Sequence, residues 1–151
     1  MLDMVVETDL EEGESSRLKE LLGSALAQLP ELATRPLEVL VTDDRRMAEL
    51  NLAYRGVDEP TDVLSFELAD WSLSNQAELP LGTIVINWDA VRRQAPENGN
   101  TPLEEAVFLF VHGLLHLLGY THESDREEEE MNRRTYEIVE RLGISPRPFG
   151  H

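Results

Sequence analysis

Residues 101–122 constrain the fold more than any other part of this chain. From Ala106 to Leu118 almost every residue except the histidines is apolar, so a helix here has no face to offer to water. A helix that is apolar all round has to be sheathed by other elements, and therefore runs through the centre of its domain. Its start is well marked. Thr101 suits the cap, Pro102 the first turn, and Glu104 closes a capping box and meets the positive end of the helix dipole. Gly119 stands where the helix should stop, because glycine accepts the left-handed conformation that reverses the chain.

Periodicity indicates what sheathes it. Residues 4–7 read as a short first strand, and residues 15–29 as an amphipathic helix ended by Pro30, with Leu18, Leu21, Leu22, Ala25, Leu26 and Leu29 at three- and four-residue spacings. Residues 37–41 read as a second strand. Thr42 or Asp43 then caps a helix carrying Met47, Leu50 and Leu52. Residues 54–61, with Gly56 and Pro60, read as a loop into a strand at 63–67. Residues 68–80 have no period and read as a surface loop. Residues 82–87 form another strand, with Asn87 capping a helix to about residue 95, and Asn98-Gly99-Asn100 is a turn. Ser124 and Glu127 make a second capping box for a last helix to about residue 142, whose acidic run 127–130 is a solvated first turn. The order β-α-β-α-β-β-α-α-α predicts an α+β fold, with a single domain over residues 1–151 and helices covering a roughly four-stranded mixed sheet.

Length and composition set the outer limits. A chain of 151 residues can bury a core without staples. No apolar run approaches the roughly 18–20 residues of a membrane span. Residues 1–10 carry acid where a signal peptide would carry base, which points to the cytoplasm. The absence of cysteine excludes disulfides and thiolate metal ligands. A net charge of −17 repels polyanions, which argues against a broad nucleic-acid surface but not against a local basic groove. Twelve of the thirteen basic residues are arginine, and the pairs Arg45-Arg46, Arg92-Arg93 and Arg133-Arg134 read as ordinary solvated faces.

Three of the four histidines fall within eleven residues, in HGLLHLLGYTH. His112 and His116, four apart, share one helix face about a turn apart, and the Gly119 turn can bring His122 back to the same point. A lone histidine on an apolar helix is more often a satisfied core residue. Three imidazoles on a helix otherwise stripped of polar groups would instead leave several buried nitrogens unsatisfied, each costing on the order of 1–3 kcal/mol. Three neutral imidazoles with no fourth protein ligand leave a coordination position open, the pattern of a catalytic zinc site. Nitrogen ligands suit zinc first, with nickel, copper or cobalt as alternatives. The spacing equals that of the metzincin proteases, except that Gly113 stands where they keep a glutamate general base. That loss argues against an ordinary metalloprotease. Glycine at 113 also removes a side chain beside the metal and lets a strand or a substrate backbone approach closely.

The same residues resemble the YbeY-type endoribonucleases, whose signature is written H-G-x-L-H-L-x-G-y-D-H. Two further blocks agree: Asn51-Leu-Ala-Tyr-Arg55-Gly with Pro60-Thr-Asp-Val-Leu-Ser-Phe66, and Leu81-Gly-Thr-Ile-Val-Ile86. The resemblance spans essentially the whole chain. It implies a single-strand RNA endonuclease of 16S rRNA 3′-end processing and ribosome quality control, working with the small ribosomal subunit and a ribosome-associated GTPase. It also implies one divalent, zinc-like ion on His112, His116 and His122, with Arg55, in the loop before the 63–67 strand, facing the metal cleft. A guanidinium suits that role because it binds phosphate bidentately and stabilises charge developing on a phosphodiester. Ser65 is a further cleft candidate, although a strand serine is more often merely packed.

Two positions depart from the family pattern. Thr121 and Thr83 stand where it keeps aspartates. If either carboxylate orients a metal histidine, its loss costs roughly 10–100-fold in affinity or activity, unless Glu123 or Asp125 compensates. The same site could alternatively serve a metal-dependent hydrolase of amides or esters, or a ribosome-assembly factor whose metal is mainly structural.

Overall fold

In the computed structural model, which describes residues 2–33, 36–67, 82–120 and 123–144, the strands are β1 (Leu2–Val6), β2 (Leu37–Thr42), β3 (Val63–Glu67) and β4 (Gly82–Asn87). They pair in the order β1-β2-β4-β3, with β1-β2 and β2-β4 parallel and β3-β4 antiparallel. The helices are α1 (Glu12–Ala27), the short α2 (Pro30–Ala33), α3 (Asp44–Arg55), α4 (Trp88–Glu97), α5 (Pro102–Leu117) and α6 (Asp125–Arg141). This is the α+β arrangement with a mixed four-stranded sheet that the element order implied.

Strand alternation divides the interior into two unequal parts. Val39, Val41, Ile84 and Ile86 point to the main core, which they share with α1, α4, α5 and α6. The intervening Leu40, Leu64, Val85 and Phe66 face α3, where Met47 completes a smaller cluster. Side chains a residue apart on a strand point to opposite faces, so a five- or six-residue strand can serve both. Helix α5 is the element most enclosed: residues 105–115 are all buried.

The turn and cap chemistry read from the sequence is largely present. The Thr101–Glu104 capping box is reciprocal, Asp43 accepts from the Arg46 N–H, and Asn87 accepts from the N–H groups of Asp89 and Ala90. Ser124 accepts from the Glu127 N–H and donates to its carboxylate. Gly119 ends α5 at φ +98°, with Gly119 N–H bonding the His116 carbonyl and Tyr120 N–H that of Leu115.

Three readings are corrected. Pro30 does not simply end the first helix; α1 stops at Ala27, and Pro30 opens α2, because proline's fixed φ and missing N–H suit a first helical position. The helix after β2 runs through Tyr54 and Arg55 instead of giving way to a loop, because Gly56, at φ +72°, is its stop signal. The helix after Asn87 likewise passes Pro96 to end at Glu97. The 68–80 loop lies outside the described residues.

The turn 98–100 does more than reverse the chain. Glu105 is fully buried, and its carboxylate accepts from the side-chain amides of Asn98 (3.2 Å to each oxygen) and Asn100 (3.0 Å). A buried charge needs such partners, and these tie the α4–α5 turn to the first turns of the central helix.

At the start of β4 a Cβ on Gly82 would overlap the backbone carbonyl oxygen of Phe66 on the paired strand. Backbone cannot step aside as a flexible side chain can. Gly82→Ala is therefore expected to lower stability by about 1–3 kcal/mol, read as a fall of several degrees in Tm by circular dichroism.

Candidate metal and phosphate cleft

His112 and His116 are both on α5, but their surroundings differ. His112 lies within the fully enclosed part of the helix at 7% exposure, whereas His116 is half-buried, where the helix leaves the core. The Nδ1 of His116 is 3.1 Å from the Tyr120 carbonyl oxygen. A carbonyl can only accept, so Nδ1 carries a proton, and in the neutral ring Nε2 is the acceptor nitrogen. A backbone carbonyl on one ring nitrogen is the usual way a ligand imidazole is oriented. No residue pattern pointed directly to Tyr120 in this role. It follows from the Gly119 turn, which folds the chain back beside the helix end.

A cleft of about 430 Å³ is lined by Arg55, Val63, Leu64, Ser65 and His116. It brings together residues from three separate stretches of the sequence: the last residue of α3, the edge strand β3 and the last turn of α5. Arg17, Arg45, Arg46, Arg93, Arg133 and Arg134 all sit beside carboxylates, and Arg92 donates to the Asp9 carbonyl. The paired arginines are thus surface residues engaged with nearby acceptors. Arg55 has no such partner among the described residues and projects at the cleft.

Two contacts hold this cleft in shape. The Ser65 hydroxyl donates to the Gly113 carbonyl at 3.2 Å, and a Cβ on Gly113 would lie 3.0 Å from Ser65 Oγ and 3.1–3.2 Å from two carbons of Ile84. Ser65 and Ile84 are register partners on β3 and β4. At Gly113 the sheet therefore packs tightly on α5, with no room to spare for a side chain. On the other side, the buried Asn51 amide donates to the Glu59 carbonyl at 2.8 Å, one helical turn before Arg55, and pins the loop that follows it.

A polar network supports the same loop from beneath. Asn87 donates to the Thr61 carbonyl (3.0 Å) and to Asp44 (2.7 Å), Asp44 is paired by both terminal nitrogens of Arg93 (2.7 and 3.0 Å), and the Asp44 N–H donates to Asp89. The Arg93 hydrogen bond, aided by Asn87, holds the Asp44 carboxyl below its ordinary pKa against the opposing effect of burial.

The two departures from the family pattern fare differently. Thr83 shares a face of β4 with Val85, away from α5, and its hydroxyl donates to Glu38 at 3.3 Å. It therefore faces away from the helix that carries His112 and His116. Thr121 and the third histidine, His122, lie outside the described residues, as does His151. Glu123 and Asp125 are exposed. Among the described residues no three His, Asp or Glu side chains converge on one point.

The family model for endoribonuclease YbeY matches residues 6–143. The chain belongs to the YbeY family. An endoribonuclease YbeY of Sulfurovum sp. (strain NBC37-1) is 47% identical over 114 residues, covering 75% of this chain and 76% of the relative. That of Roseiflexus sp. (strain RS-1) is 50% identical over 117 residues, covering 73% of each. The Bacillus licheniformis YbeY is 37% identical over 152 residues, 96% of both chains. The solution structure of a Thermotoga maritima protein superposes with a TM-score of 0.59 at 28% identity, covering 95% of this chain and 92% of that one. The cleft residues Arg55, Val63, Leu64, Ser65 and His116, with Asn51 and Gly113, all fall within the range that the family model matches.

Two outcomes follow from this geometry. Gly113→Ala should cost about 1–3 kcal/mol in denaturant unfolding, and Gly113→Glu, which restores the protease residue, should fail to fold. Because Asp44 has a lowered folded pKa, its stabilisation is present at and above the ordinary carboxylate range and is lost as pH falls through the lowered value. Both partners are more than a third exposed, so the loss is small. Arg93→Ala should move the Asp44 titration, followed by carboxyl NMR, back up toward its ordinary position.

Proposed function

We propose that this chain is a metal-dependent endoribonuclease that cuts single-stranded RNA in rRNA maturation, including 16S 3′-end processing, and serves ribosome quality control. The observation that carries this reading is the cleft shared by His116 and Arg55. It brings an imidazole and a guanidinium suited to phosphate to one cleft. The family membership supports the nuclease chemistry, and the relatives' names are those of endoribonucleases.

The donor set fits a zinc-type ion. His112 and His116 share a helix face, the His116 tautomer is set by the Tyr120 carbonyl, and His122 is the third ligand in the proposed set. When bound, a divalent ion here would act as a Lewis acid on a phosphoryl oxygen and lower the pKa of coordinated water. The chain's own residues do the rest. Arg55 binds the scissile phosphate and stabilises the charge that builds up on it as the phosphodiester breaks. Ser65 keeps β3 against α5 and so fixes the separation of Arg55 from the histidines. Gly113 offers no carboxylate as a general base, which favours a substrate other than a peptide. Partnership with the small ribosomal subunit and a GTPase extends from the sequence resemblance, and a cytoplasmic setting is part of the same proposal. No helix among the described residues is long and apolar enough to cross a membrane.

Purified chain should contain one divalent ion by elemental analysis and cut a labelled single-stranded rRNA fragment. His116→Ala should lose both the ion and the cleavage. Arg55→Ala should keep the ion and lower the cleavage rate by roughly 10²–10³-fold. Cleavage that survives His116→Ala unchanged would rule out the mechanism.

A further inference from the structure

The large apolar side chains left exposed among the described residues are Val5, Leu52, Tyr54 and Val57. Three of these four lie between residues 52 and 57, around Arg55. Tyr54 stands out because it is both open and braced. It is 47% exposed, and its ring lies 4.8 Å from that of Phe66, centroid to centroid, at an interplanar angle of 50°. Phe66 in turn packs on the Met47, Leu64 and Val85 cluster. One edge of the tyrosine is therefore fixed by the core while much of its surface meets solvent.

Its location matters as much as its exposure. Tyr54 directly precedes Arg55 on α3, and Phe66 directly follows Ser65 on β3. Arg55 lines the cleft, and so does Leu64, which shares a face of β3 with Phe66, so the aromatic pair lies beside that cleft on the α3 side of the edge strand. We infer that Tyr54, braced by Phe66, is a stacking platform for a base of the single-stranded RNA whose phosphate Arg55 receives. This inference rests on the endoribonuclease reading above and deepens it.

The charge of the chain gives independent support. At a net −17, with its arginine pairs already engaged by carboxylates and a carbonyl, the protein has little basic surface with which to hold a polyanion. Stacking on an aromatic face does not depend on charge, tolerates any base, and supplies a large part of single-strand binding in proteins that use it. It also selects for single strands, since bases within a duplex already stack on each other and present no free face. An acidic protein with one cleft arginine and one braced tyrosine beside it can thus hold a nucleotide by base and phosphate together. Few phosphate contacts imply a shallow salt dependence of binding.

The test compares two probes on the full-length chain by fluorescence anisotropy: a labelled single-stranded 2′-O-methyl oligoadenylate, and a fully abasic oligomer of the same length. Tyr54→Ala should weaken oligoadenylate binding about tenfold and leave the abasic oligomer unaffected. Tyr54→Trp should retain binding. Tyr54→Leu, which keeps apolar packing on Phe66, should behave like the alanine variant, and Arg55→Ala should weaken both probes. Equal weakening of both probes by Tyr54→Ala, full binding by Tyr54→Leu, or no effect at all would each overturn the platform. If the unsubstituted chain binds and cuts RNA while Tyr54 proves irrelevant, the platform alone falls. If the unsubstituted chain neither binds nor cuts RNA, the endoribonuclease reading falls, and the platform with it.

Discussion

Helix α5 cannot face water along most of its length, because residues 105–115 are buried on every side. Helices α1, α4 and α6 and one face of the sheet therefore have to close around it, and the main core is the set of side chains that do so. Burial is complete through Leu115 and partial from His116 onward. The histidine pair straddles that boundary. One imidazole is inside the protein and the next is at its edge, so a site here would be anchored in the core yet reachable from outside. The capping box at one end of α5 and the Gly119 turn at the other fix how far the helix can slide.

Close packing then shapes the cleft. Gly113 lets Ser65 and Ile84 approach α5 more closely than any larger residue would permit. Because Ser65 is on the edge strand, this approach also sets where β3 and the preceding loop lie. Asn51 and Asn87 each donate to a carbonyl of that loop, at Glu59 and Thr61. Buried amides of this kind have little freedom, since an unmade hydrogen bond there costs about 1–3 kcal/mol. The position of Arg55 therefore depends on contacts from both faces of the sheet, one through α5 and the other through α3 and α4.

The acidic character of the chain is compatible with such a site because it is mostly a surface property. Carboxylates pair with the arginines of α3, α4 and α6 at separations of 2.7–3.9 Å, in largely exposed settings where each pair contributes little. The cleft, by contrast, is lined by one arginine, one histidine, a serine and apolar groups. A net charge of −17 repels a polyanion at long range, so for such a ligand the short-range contacts of the cleft carry more weight.

Elements whose signals are local were legible along the chain alone. The limits of β3 and β4, the caps at Asp43, Asn87, Thr101 and Ser124, and the Gly119 stop all depend on residues within a turn of one another, and the histidine spacing is a property of a single helix. Reading the loop from Tyr54 rather than from the Gly56 stop cuts the helix short by two residues and puts Arg55 in a loop. Thr83 could not be separated from the α5 side of the sheet until strand parity and pairing placed it on the opposite face. The meeting of Arg55 with His116, the Ser65–Gly113 contact, the Tyr54–Phe66 pair and the Glu105 amide cage were decided only by tertiary structure. Each joins residues whose proximity depends on how the strands pair and how the sheet packs against its helices, and no periodicity along one segment encodes that.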